Sequence, residues 1–175
     1  MVFWICPRII TPLVLSPKMI RGFFTGACKP HQVLTPLVAG NIWYAISTYT
    51  RFDGPSAVYF VPPDVVLAAD QSLQPDIIFI AKDRLHIIAD HAVLGTPDLV
   101  VEVLSPSARH FDLGRKRDVC FAKGVRELWI ADIEETTLLH HAQEAGGWRI
   151  TRLGRQDILC SHVLPGFEVS LMGLS

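Results

Sequence analysis

A glutamate stands inside an unbroken apolar run. Leu99-Val100-Val101-Glu102-Val103-Leu104 follows Pro97-Asp98, and β-branched residues at this density form a strand buried on both faces of a sheet. A carboxylate left alone there shifts its pKa or costs several kcal/mol. Something polar or metallic must therefore face Glu102. A second run, Ile77-Ile78-Phe79-Ile80, follows a second Pro-Asp step at Pro75-Asp76, so any fold for this chain must house two strands of this kind.

The 175 residues suit one domain, 1–175, large enough to bury a core without disulfides or structural zinc. A net charge of −1 excludes a globally basic coat for nucleic acid, which leaves local patches to meet phosphates. Cys6, Cys28, Cys120 and Cys160 make no Cys-x-x-Cys pair. They signal neither a zinc site nor a thioredoxin-type motif and read as free thiols of a reducing compartment. The apolar start, Met1 to Cys6, lacks a basic leader and is interrupted by Pro7, Arg8 and Pro12. No signal peptide and no membrane helix are expected, and the expected location is cytoplasmic.

In chain order, residues 9–15 and 19–24 suit two strands around Ser16-Pro17-Lys18. Thr35-Pro36 resembles an N-cap with proline at the first helical position, opening an amphipathic helix to about Thr50 that Phe52-Asp53-Gly54-Pro55 breaks. Strands are predicted at 57–61, 64–68 and 76–80, with a short one at 85–88 and the buried one at 98–104. A helix over about 107–123 ends at Gly124, a natural C-cap, and a strand restarts at 126–131. Strand, helix and strand at this spacing favour a parallel pair. Residues 136–141 and 148–153 read as a hairpin around Gly146-Gly147, and 158–171 as a turn and last strand. The predicted fold is a mixed α/β sheet flanked by helices, with a C-terminal β-hairpin extension.

Asp76 opens one strand and Glu102 sits inside another. If the strands are neighbours, both carboxylates face one point, and with the backbone carbonyl of Val103 they form a hard oxygen site for Mg²⁺ or Mn²⁺ completed by water. Such a metal lowers the pKa of a bound water and shields phosphate charge, which makes phosphodiester hydrolysis a candidate reaction. The bland alternatives are an ion pair for Glu102 and a turn role for Asp76. The helix at 107–123 carries Arg109, Arg115, Lys116, Arg117 and Lys123 against Asp112 and Asp118. Lys116 and Arg117 both fall among its apolar positions, and periodicity does not choose between them; Lys116 could equally pair with Asp112 one turn away. Asp98 reads as a cap or turn residue, and His140-His141 as part of an exposed hairpin.

Taken together, Gln74-Pro75-Asp76, Pro97 to Ser107, Asp112-Leu113 with Lys116-Arg117, and Gly124 to Ile130 resemble the putative restriction endonuclease family of the Uma type, within the PD-(D/E)xK nuclease superfamily. The likeness runs from about Lys29 to Leu171, including His31-Gln32 and Leu164 to Phe167, while the first 28 residues match poorly. What it implies is a restriction endonuclease-like core, a divalent metal (Mg²⁺ or Mn²⁺) held by Asp76 and Glu102, and DNA as substrate. The superfamily lysine two residues after the second acid is replaced here by Leu104, and the resemblance points to Lys116 instead. Arg109, Arg115 and Arg117 become candidate nucleic-acid contacts, His31 a residue near the site, and a homodimer a candidate assembly. One departure is Arg21-Gly22-Phe23-Phe24, where family members carry an acid shortly after the glycine. It sustains a rival reading, a catalytically impaired nuclease-fold protein that binds nucleic acid or a protein partner, and a third, a chain with a damaged amino terminus.

Overall fold

The strands that follow the two Pro-Asp steps lie side by side. In the computed structural model, which describes residues 30–51, 56–62, 64–68, 71–104 and 112–173, β4 (Ile77–Ile80) pairs antiparallel with β6 (Leu99–Leu104), Ile77 opposite Val101. On the other side β6 runs parallel to β7 (Glu127–Asp132), as the intervening helix predicts. Outward from these, β1 (Ala57–Phe60) joins β4, and β8 (Thr137–Glu144) with β9 (Gly147–Gly154) extends the sheet beyond β7. The predicted hairpin, β8 with β9, thus extends the central sheet at its β7 edge. Two smaller sheets complete the fold, β2 (Val65–Ala68) between β3 (Gln71–Leu73) and β5 (Val93–Leu94), and β10 (Ile158–Cys160) with β11 (Glu168–Ser170).

Alternation along the strands sends side chains to two cores. Ile77, Phe79, Leu99, Val101, Val103 and Trp129 pack beneath Val38, Ala39, Ile42, Ala45 and Ile46 of α1 (Pro30–Thr50), together with Leu159, Leu164 and Phe167 from the C-terminal segment. The intervening residues Ile78, Ile80, Val100, Leu128 and Ile130 face the other way, towards Cys120 of α2 (Asp112–Ala122). Burial on both faces explains why these strands are apolar without alternation. Gly124 ends α2 as predicted: its φ is +78°, its N–H reaches the Phe121 carbonyl, and the next N–H, of Val125, reaches that of Cys120, the paired bonds of a Schellman cap.

Two elements differ from expectation. The first helix begins at Pro30, so Pro36 lies inside it. Pro30 takes the first helical position without loss, and Pro36, six residues on, removes the N–H that would bond the Gln32 carbonyl and crowds that carbonyl with its ring. Where a strand was expected at 85–88, a 3₁₀ helix spans Lys82–Ile87. Its tight turn is held by Asp98, whose Oδ2 accepts the Ala81 N–H at 2.8 Å while Oδ1 accepts from Arg84 at 3.0 Å. The strands predicted at 9–15 and 19–24, the break at 52–55, the helix residues before Asp112 and the Arg21–Phe24 step lie outside the described residues. No described helix is long and apolar enough to cross a membrane.

Candidate active site

Continuing the β4–β6 register by one residue sets Asp76 opposite Glu102, and residues directly opposite in an antiparallel pair share a face. That face is the one α2 covers. Asp76 sits just before β4, where its Oδ2 accepts the Val103 N–H at 2.6 Å. The N–H and C=O of one strand residue point to the same edge, so the Val103 carbonyl also faces Asp76. From α2, Lys116 Nζ donates to Glu102 Oε2 at 3.1 Å, with the two side chains 25% and 11% exposed.

Electrostatics follow from this placement. Burial pushes the Asp76 carboxyl above its ordinary range, opposed by the Val103 hydrogen bond and by the positive charge of Lys116. Cys120, one helical turn beyond Lys116, has its thiol pushed up to about 12 by burial and by the Glu102 charge, against the pull of Lys116. Alkylation of the folded protein at neutral pH should therefore label the exposed Cys160 ahead of Cys120; peptide mass mapping that finds Cys120 labelled first would contradict this burial.

The model of the Uma2 family, described as "Putative restriction endonuclease", matches residues 28–172. The chain belongs to the Uma2 family. Its fold is that of a restriction endonuclease-like nuclease, as the crystal structure of a putative nuclease belonging to DUF820 from Anabaena variabilis also indicates. That structure superposes with a TM-score of 0.68 at 15% identity, over 81% of this chain and 79% of the other. No curated protein matches the chain.

For this Uma2 member the donor chemistry around Asp76 suits a hard divalent cation. Asp76 and Glu102 could offer carboxylate oxygens and Val103 a carbonyl, and Mg²⁺ commonly takes one or two carboxylates and keeps several waters. Among the described residues no cluster of three or more His, Cys, Asp or Glu side chains exists, so within them the set is these two carboxylates and the backbone.

The remaining candidates separate. Arg115 is exposed and lines the cleft that Lys116 also lines. Arg117 instead turns to Asp118 at 2.9 Å and stands 6.0 Å from the Phe121 ring centroid, so it is Lys116 that reaches Glu102; the Asp112 side chain lies outside the described set. His31 lies in the first turn of α1 with its side chain outside the described set, and Arg109 lies outside the described residues.

Of two further buried carboxylates, Asp98 exceeds its sequence reading and Glu127 had none. Asp98 is a fully buried hub that binds Arg84 at 3.0 Å and Arg126 at 3.2 Å, more than the turn role expected of it. Glu127 accepts five hydrogen bonds: Oε1 from Trp129 and His140, both at 2.7 Å, and Oε2 from the Ser161 hydroxyl and the His162 and Val163 N–H groups, each at 2.8 Å. Burial alone would raise its carboxyl; the bonds from His140, Trp129, Val163 and Ser161 outweigh that and hold it below the ordinary range. His140 and His141, expected in an exposed hairpin, are both buried. Being adjacent, they face opposite sides: His140 meets Glu127, and His141 rests against Phe121 with ring centroids 5.6 Å apart. Period-two alternation places Glu127 beside Trp129, but Ser161 lies 34 residues away and leaves no local signal.

Proposed function

We propose that this protein is a metal-dependent endonuclease that hydrolyses phosphodiester bonds in DNA. The observation that carries the reading is the convergence of Asp76, Glu102 and Lys116 at one end of β4 and β6, with Lys116 Nζ 3.1 Å from Glu102. Asp76, Glu102 and the Val103 carbonyl would hold Mg²⁺ or Mn²⁺. When bound, the cation supplies an activated water at neutral pH and shields the phosphate.

The chain's own groups do the rest. Glu102 holds the Lys116 ammonium at the site, where it donates a hydrogen bond that orients the attacking water and offsets charge growing on the phosphate. A lysine suits this task as a compact point charge with three rotatable donors. Arg115, beside it, pairs a neighbouring phosphate through its planar fork. Arg117 of α2, and Arg109 by its place in the sequence alone, are the further candidates for phosphate contact. Water is kept from the rear of the site by Cys120 and the apolar residues of the α2 core.

Supercoiled plasmid and single-stranded DNA should be cut in Mg²⁺ or Mn²⁺ and spared in excess chelator. Lys116→Ala should lower the cleavage rate by about 100- to 1,000-fold, the scale for removing one transition-state donor, while metal affinity stays within a factor of a few. DNA left intact by the wild type in both metals would sink the nuclease reading. Undiminished cleavage by Lys116→Ala would pass the role to another residue.

A further inference from the structure

Next to Lys116 the face of α2 does not close against the sheet. Between β3 and α2 runs a cleft of ≈ 670 Å³ whose walls are Asp64, Gln71, Ser72 and Gln74 on one side and Arg115 and Lys116 on the other. That volume lies within the range of about 300–1,000 Å³ of small-molecule sites. Its equivalent cube has an edge of about 9 Å, less than the roughly 12 Å width of the major groove alone. A duplex does not enter such a space; one nucleotide of a single strand does.

The two walls differ in chemistry. Arg115 and Lys116 are cationic, and Arg115 makes no ion pair among the described residues. Opposite them stand two amides, a hydroxyl and the Asp64 carboxylate, groups of the kind that read base edges. Gln74 is already fixed, its Nε2 donating to Asp64 Oδ1 at 2.6 Å, and this commits its amide to one orientation with the oxygen as acceptor. Gln71 is the unfinished one. Its Oε1 is buried and finds no hydrogen-bond partner among the described residues, a state that is costly and rare for a side-chain acceptor. The terminal torsion of glutamine is soft, so the amide can turn to a donor brought into the cleft.

We propose that the β3–α2 cleft is a nucleotide subsite, in which Arg115 pairs the phosphate of a single-stranded segment and Gln71 accepts a hydrogen bond from the exocyclic amino group of its base. The subsite rests on the nuclease reading in that it places the strand beside Lys116, and it adds a preference that the metal site cannot supply. Bases that carry an amino group complete Gln71. Thymine presents a carbonyl oxygen where cytosine presents its N4 amino group, and two acceptors repel.

Oligo-dC and oligo-dT form the cleanest comparison, since both are pyrimidine strands that differ at this position. Fluorescence anisotropy with twelve-residue strands, Ca²⁺ replacing Mg²⁺ and strand integrity checked on a gel, should give about fivefold tighter binding of dC, the scale of one net hydrogen bond. Gln71→Leu should erase that ratio while keeping the wild-type affinity for dT, so that dT binding also reports an intact fold. Arg115→Ala should weaken both strands alike and flatten their salt dependence.

Equal affinity of the wild type for dC and dT, a ratio unchanged in Gln71→Leu, or failure to bind either strand would each overturn the subsite. DNA cleavage without a cytosine preference would leave the nuclease reading standing and remove the subsite. A Gln71-dependent preference in a protein that cuts nothing would do the reverse.

Discussion

Glu102→Gln is expected to abolish cleavage and to weaken Mn²⁺ binding, followed by calorimetry, by more than about 100-fold. Changing an outer partner of a metal ligand already costs 10–100-fold, and Glu102 is proposed as a ligand itself. Glutamine keeps the shape and an acceptor oxygen for Lys116 Nζ, now 3.1 Å from Oε2, so the fold should persist and only the anionic donor is lost. The comparison separates the two roles open to a glutamate in an apolar strand. As the counter-ion of Lys116 and nothing more, Glu102 could be replaced without any change in metal affinity; equal heats from wild type and variant would therefore reduce the site to a salt bridge.

The second large effect concerns stability and lies on the opposite face of the sheet. Glu127→Ala should cost about 3–5 kcal/mol, the scale for breaking a buried charged pair, and lower the melting temperature by roughly 10 °C or more. The reason is the number of donors stranded. Trp129 Nε1, His140 Nε2, the Ser161 hydroxyl and two backbone N–H groups all converge on this one carboxylate, tying the segment from Ser161 to Val163 to the start of β7. Its carboxyl is held below the ordinary 4.5 by those bonds. A depressed folded pKa stabilises the native state above the unfolded value and ceases to do so as pH falls through the folded one. The stability gap between wild type and Glu127→Gln, read from urea melts, should therefore be widest near neutrality and narrow on acidification to about pH 3.5. A gap constant with pH would mean that shape, and not charge, matters at this position.

Strand existence was legible because it is written locally. Ile77–Ile80, Leu99–Leu104 and Glu127–Asp132 each carry a dense apolar run after a Pro-Asp or Gly step, and the helix between the last two requires the parallel pairing that is found. The 3₁₀ helix at Lys82–Ile87 was not legible, because its cause is a carboxylate fourteen residues from Arg84. A short apolar pair such as Ile87-Ile88 fits a strand or a turn until Asp98 draws Ala81 and Arg84 together. The buried state of His140 was hidden for the same reason: a histidine in a hairpin reads as exposed unless a distant Glu127 is known to face it.

By itself the sequence determined that Glu102 must have a polar or metallic partner, since a carboxylate in a strand buried on both faces has no other tolerable state, and that a second carboxylate, Asp76, opens a strand of the same kind. Tertiary structure decided who the partner is. Lys116 and Arg117 are about 100° apart around the helix axis, and both border the apolar stripe of α2, so which one reaches the sheet depends on how the helix is rolled when it docks. Contacts such as the Phe121–Trp148 stack, with ring centroids 3.9 Å apart, fix that roll. They turn Arg117 towards Asp118 and bring Lys116 to Glu102, a choice made by packing between residues distant in the chain and written in no single stretch of it.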